Sequence, residues 1–89
     1  MKIKSGFVIE QVGGSYLAVA TGERAASFRA LIRLNDTGAF LWRLLSEGDM
    51  TKEELLSRML EEYDVTEELA KRDITKFLEM LLKADILDA

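Results

Sequence analysis

Leu34-Asn35-Asp36-Thr37-Gly38-Ala39-Phe40-Leu41-Trp42 is where this chain changes its period. Before it, apolar and polar residues alternate two by two, as in a half-buried sheet. After it, apolar residues return every three or four positions, as on one face of a helix. Asn35 or Asp36 can cap the helix that opens here, because a short side-chain oxygen reaches an otherwise unpaired backbone N–H. Phe40, Leu41, Leu44 and Leu45 form its apolar stripe, Trp42 widens it, and Glu47-Gly48-Asp49 ends it near residue 46.

Upstream, Phe7-Val8-Ile9-Glu10-Gln11-Val12 is rich in branched and aromatic residues and predicts a strand. Gly13-Gly14 tolerates the positive φ of a tight hairpin, and Tyr16-Leu17-Ala18-Val19-Ala20 returns. Thr21 to Ser27 is a looser connection. Phe28-Arg29-Ala30-Leu31-Ile32-Arg33-Leu34 is a third strand, with Phe28, Ala30, Ile32 and Leu34 on one face and Arg29, Leu31 and Arg33 on the other. The strands are expected within residues 7–34.

Downstream, Thr51-Lys52-Glu53-Glu54 has the spacing of a capping box. A second helix over 52–63 carries Leu55, Leu56, Met59, Leu60 and Tyr63. Asp64-Val65-Thr66 interrupts it, and Asp64 with Glu67, or Thr66 alone, caps a third helix over 67–83. Ile86-Leu87 form a short apolar tail. Three strands cannot bury both faces by themselves. The helices must therefore cover one face, which gives an α+β domain over 1–89: a three-stranded antiparallel sheet, then a three-helix bundle, winged-helix-like in outline.

Composition narrows the function. Eighty-nine residues suffice for one small domain. With no cysteine and no histidine, disulfides, thiolate nucleophiles and most transition-metal sites are removed, so no metal and no cofactor is expected. The acidic groups Glu61, Glu62, Asp64, Glu67 and Glu68 surround helix ends, where caps and the helix dipole account for them. No stretch of eighteen apolar residues and no apolar segment after Met1-Lys2-Ile3-Lys4 suggest a membrane or secretory fate, so the expected compartment is the cytoplasm. A net charge of −4 argues against a nucleic-acid partner, which would need a basic face.

With these residues in hand, the chain resembles the PqqD-like family, also called RiPP recognition elements. The likeness rests on Gly14 in the hairpin and on Leu34 through Trp42. It continues through Thr51-Lys52-Glu53-Glu54-Leu55 and Glu62-Tyr63-Asp64-Val65, then Asp73, Phe77, Leu78, Leu81-Leu82 and Ile86-Leu87. The family often has Glu where Asp36 stands. The resemblance implies an adaptor, not an enzyme. It would bind the leader of a ribosomally made precursor peptide and present it to a modifying enzyme, a radical-SAM protein or a leader peptidase. It also implies that the leader lies as an added strand against the third strand, with the third helix as the other wall.

Physics supports such a site. A free sheet edge offers unpaired N–H and C=O groups to an extended peptide. The expected peptide-binding residues are therefore Ala30, Leu31, Ile32 and Arg33 on the strand, and Arg72, Lys76, Phe77 and Met80 on the helix. Arg72, Lys76 and Lys83 suit acidic leader residues, although basic side chains on a helix are most often a solvated face. The pattern leaves open whether Phe77 and Trp42 are core or groove. The same open edge can accept a second copy, so an edge-to-edge homodimer or a swapped strand is expected. The competing reading is a winged-helix DNA-binding regulator.

Overall fold

The computed structural model describes residues 1–22 and 32–88. In chain order the elements are β1 (Lys2–Ile3), β2 (Phe7–Val12), β3 (Ser15–Ala20), β4 (Ile32–Leu34), α1 (Asp36–Glu47), α2 (Lys52–Glu62), α3 (Glu67–Lys83) and β5 (Leu87–Asp88). Strands β2, β3 and β4 form an antiparallel sheet in that order, so β3 is central. The expected α+β architecture is present. Of the third strand read from the sequence, Ile32–Leu34 is observed, and Phe28 to Leu31 lie outside the described residues.

The hairpin between β2 and β3 has a two-residue loop, and Gly13 at its first position has φ +62°. A side chain would be strained there, and glycine is not. The strand pattern sorts residues by face. Ala18, Ile32 and Leu34 are buried toward the helices, while Val8, Glu10 and Arg33 point the other way and are exposed.

Each helix starts on a side-chain cap. The Asn35 Oδ1 accepts the Gly38 N–H at 2.8 Å and the Thr37 hydroxyl at 3.0 Å. Asn35 is thus the cap of α1, and Asp36 is its first helical residue. Gly38 is there for space: a Cβ on it would stand 3.2 Å from that Oδ1 and 3.4 Å from Leu34. Thr51 and Glu54 form the full reciprocal capping box on α2, at 3.0 and 3.1 Å. Thr66 alone caps α3 through the Leu69 N–H.

The C-terminal end of α3 turns through a motif that the sequence reading did not contain. The Ile86 N–H donates to the Leu81 carbonyl at 2.9 Å and the Asp85 N–H to Leu82 at 3.1 Å. Asp85 has φ +60°. These are the paired bonds of a Schellman turn, with Asp85 in the position that glycine usually takes. The turn sends Ile86 into full burial and lays Leu87–Asp88 beside Lys2–Ile3. The apolar tail is therefore a strand, paired with a second strand at residues 2–3. Lys4 N–H donates to the Ile86 carbonyl, and Met50 N–H to that of Met1, each at 2.8 Å, which ties this ribbon to the start of α2.

The core lies between the sheet and the helices. Leu41, Trp42 and Leu45 of α1, Leu55 and Met59 of α2, and Ile74 and Leu81 of α3 are all at most 2% exposed. Trp42 is therefore core. Phe40 packs its ring edge-on to Tyr63, 5.4 Å between centroids, and so fastens α1 to the end of α2. No helix among the described residues is long and apolar enough to cross a membrane.

Candidate peptide-binding groove

Strand β4 bonds to β3 on one side, and the hairpin fixes which of its backbone groups do so. A two-residue loop makes Val12 and Ser15 a hydrogen-bonded pair. The Thr21 N–H donates to Gly6 at 2.8 Å, which gives the same phase at the far end of the ladder. Odd-numbered residues of β3 therefore bond to β2, and Tyr16 and Ala18 bond to β4. Their partners are Leu34 and Ile32. Alternation then turns the N–H and C=O of Arg33, which faces Leu17 in a non-bonded pair, to the outside of the sheet. Among the described residues, that backbone has no main-chain partner.

Beside this edge runs a trough. Its larger part, about 560 Å³, is lined by Arg33 and Leu34 of β4, Gly14 and Ser15 of the hairpin, and Asn35 through Gly38 with Leu41 of α1. The far wall is Asp73, Lys76, Phe77 and Met80 of α3. A second hollow of about 450 Å³ continues it along Ile32, Lys76, Glu79, Met80, Lys83 and Ala84. Lys76 and Met80 belong to both. The α3 wall from Asp73 to Ala84 rises about 16 Å, which matches roughly five residues of extended peptide.

The floor is apolar and the rim charged. Leu34, Leu41 and Phe77 are buried, with Phe77 5% exposed, so Phe77 is a core side chain whose exposed margin lines the trough. Met80 is half-buried and adaptable. The rim carries Arg33, Lys76 and Lys83 against Asp36, Asp73 and Glu79, a mixed field rather than a basic one. Tyr16 sits beside Leu34 in the ladder with the Arg43 guanidinium 5.5 Å from its ring centre, a contact that braces β3 against α1. Among the described residues no group of three His, Cys, Asp or Glu is placed to hold a metal ion.

The expected site residues fare unequally. Arg33, Lys76, Phe77 and Met80 come together in the trough. Ile32 lines its continuation, with its side chain buried. Arg72 is exposed and is not part of either lining; it lies about 80° round the helix from Met80. Ala30 and Leu31 lie outside the described residues. The trough is also lined by Gly14, Ser15, Asn35 through Gly38, Leu41 and Asp73, which the sequence reading did not name for the site. A signal for most of them existed. Gly14, the Asn35-to-Leu41 stretch and Asp73 are among the residues that carry the family likeness, and the fold gathers them on this one trough.

Comparison with known proteins gives the family and the fold. The family described as Coenzyme PQQ synthesis protein D (PqqD) matches residues 21–87. This chain belongs to the PqqD family. The matched span takes in β4, the three described helices and the first residue of β5, and leaves the β2–β3 hairpin outside it. The hairpin is included in a structural match to "TbiB1 in Complex with the TbiA(beta) Leader Peptide". That match has a TM-score of 0.75 and 25% identity, and covers 100% of this chain and 96% of that one. "Lasso peptide synthetase B1 complexed with the leader peptide" matches at a TM-score of 0.70 and 20% identity, over 96% of this chain and 93% of that one. No curated protein sequence matches the chain at a significant level.

Proposed function

We propose that this PqqD-family chain binds the leader of a ribosomally made precursor peptide by adding it as a fourth strand beside β4. The observation that carries the proposal is the outward-facing backbone of Arg33 beside the trough along α3. Main-chain pairing supplies affinity with little regard to sequence, and the α3 wall supplies selection. Leader-peptide complexes of proteins with the same fold support this reading. The DNA-binding alternative has no support from the family match or from either complex.

Alternation tells where the leader's side chains go. A residue paired with Arg33 shares its outward face, and its two neighbours face inward like Ile32 and Leu34. The inward pair meets Leu34, Leu41 and Phe77 at one end and Met80 and Ala84 at the other. Ile32, Arg33, Lys76, Phe77 and Met80 are the residues proposed to hold the peptide. The protein contributes no chemistry of its own in this reading. It hands the leader to a modifying enzyme, a radical-SAM protein or a leader peptidase.

The test is a pair of variants at one position. Arg33→Ala removes the side chain and keeps the outward N–H. Arg33→Pro removes both, yet leaves the bonds to β3 intact, since proline is tolerated where the N–H faces away from the ladder. The probe is a fluorescent synthetic leader from the precursor gene nearest this one, titrated by anisotropy, with circular dichroism to check folding. Strand addition predicts that the alanine variant binds within a few-fold of wild type and the proline variant at least tenfold more weakly. A folded proline variant that binds like the alanine variant would show that the peptide does not pair with this edge.

A further inference from the structure

The helices cover one face of the β2–β3–β4 sheet. The other face carries Val8, Glu10 and Val12 of β2, Ser15, Leu17 and Val19 of β3, and Arg33 of β4. Val8 and Val12 are 42% and 55% exposed, and Leu17 and Val19 are partly exposed. The register sets three of these residues in one row across the strands: Glu10 pairs with Leu17, and Leu17 with Arg33. A carboxylate and a guanidinium thus flank a central leucine, one strand spacing away on either side.

That row is complementary to itself. When a second copy is laid face to face, with the twofold axis parallel to the strands, left and right exchange. Leu17 then meets Leu17 of the other copy, and each Glu10 lies over the other copy's Arg33. An axis across the strands would instead set Glu10 over Glu10 and Arg33 over Arg33. The strands of the two sheets run nearly aligned in the favoured arrangement, as packed antiparallel sheets do. Valines beside the row supply the apolar contact, and the two ion pairs close its margins.

We infer that this open sheet face is a self-association surface, through which two copies pack as a weak symmetric sandwich. Its size sets the strength. At about 4.8 Å between strands and 3.3 Å per residue, six residues of β2, six of β3 and three of β4 give a patch of roughly 240 Å² on each copy. Both sides together bury about 500 Å², well below the 1,000 Å² or more of a stable interface, so association belongs at high micromolar concentrations. This contact is different from edge-to-edge pairing at β4. It covers the face and leaves the outward backbone of Arg33 free, so it does not depend on the peptide-binding reading.

Sedimentation equilibrium at low salt, from about 10 μM to 1 mM, measures it. The wild type is expected to shift from monomer toward dimer mass across that range. Val8→Glu, which buries a charge in the contact, abolishes the shift. Glu10→Arg and Arg33→Glu each set like charges opposite one another. Each weakens the dimer about tenfold, given factors of a few for each exposed pair. The double swap Glu10→Arg with Arg33→Glu restores opposite charges and returns the dimer to within about threefold of wild type. Circular dichroism confirms that every variant is folded. A wild type that stays monomeric to 1 mM overturns the inference, and so does a dimer indifferent to the single swaps or not rescued by the double one.

Discussion

Replacing Asn35 with alanine tests how the first helix and the groove are held together. The side-chain oxygen accepts two hydrogen bonds, from the Gly38 N–H at 2.8 Å and the Thr37 hydroxyl at 3.0 Å. The threonine hydroxyl can turn to water. The Gly38 N–H is part-buried in the first turn and cannot find a substitute so easily. The backbone bond from the Ala39 N–H to the Asn35 carbonyl survives the change. The loss is therefore that of one helix cap, about 1 kcal/mol within a usual range of 0.5–2. For a domain of this size that lowers Tm by about 4–8 °C. Asn35→Asp keeps the acceptor and adds a negative charge at the helix N-terminus, so it should melt at or slightly above wild type. Thermal melts followed by circular dichroism, with urea titrations to check that the slope is unchanged, measure both. An alanine variant melting within about 1 °C of wild type, or an aspartate variant melting as low as alanine, would refute the cap's role. Because Asn35 through Gly38 also wall the trough, the alanine variant should bind leader more weakly even when fully folded at 20 °C.

Lys76→Glu should weaken binding of an acidic leader, and the difference should shrink at high salt because an exposed charge is screened; anisotropy titrations at two salt concentrations check this. The Tyr63 hydroxyl is held above its ordinary pKa of 10.0, first by burial and then by the negative charges of Asp36 and Glu62. The folded state thus keeps this proton longer than the unfolded state. The stability it contributes is whole below pH 10 and falls as pH rises through the folded value. Melts between pH 8 and 11 should show that decline, and Tyr63→Phe, which keeps the ring contact with Phe40, should flatten it. Asp85→Gly should raise stability by about 0.5 kcal/mol in urea titrations, because glycine takes the left-handed turn without strain and the exposed pairing of Asp85 with Lys4 contributes little.

The legible parts of the fold were those with a repeated signal. The hairpin, the period change at Asn35 and the caps at Thr51 and Thr66 are written in local residue types, and each stands where the pattern puts it. Strands β1 and β5 were not legible, because two residues make no period. Their pairing depends on the turn at Asp85, where an aspartate stands in for the glycine that would have announced it. The α3 wall of the trough was legible in Lys76, Phe77 and Met80, since residues three and four apart share a helix face. The opposite wall was not, because Gly14, Ser15 and the cap of α1 meet α3 only through the packing of separate elements. Arg72 lies apart from the α3 wall, because its angle on the helix leaves it outside the lining of both hollows.

The β1–β5 ribbon has a consequence for how such a domain can be joined to other chains. Lys2 pairs directly with Asp88, and the two strands are antiparallel, so the polypeptide comes in and goes out at one place. Residues paired in this way stand about 5 Å apart at their Cα atoms. A surface loop of another protein could be cut and its two stumps attached here with scarcely any stretching, and the guest would remain folded around its own core. The chain is in this sense a plug-in module, with its attachment point at a single spot.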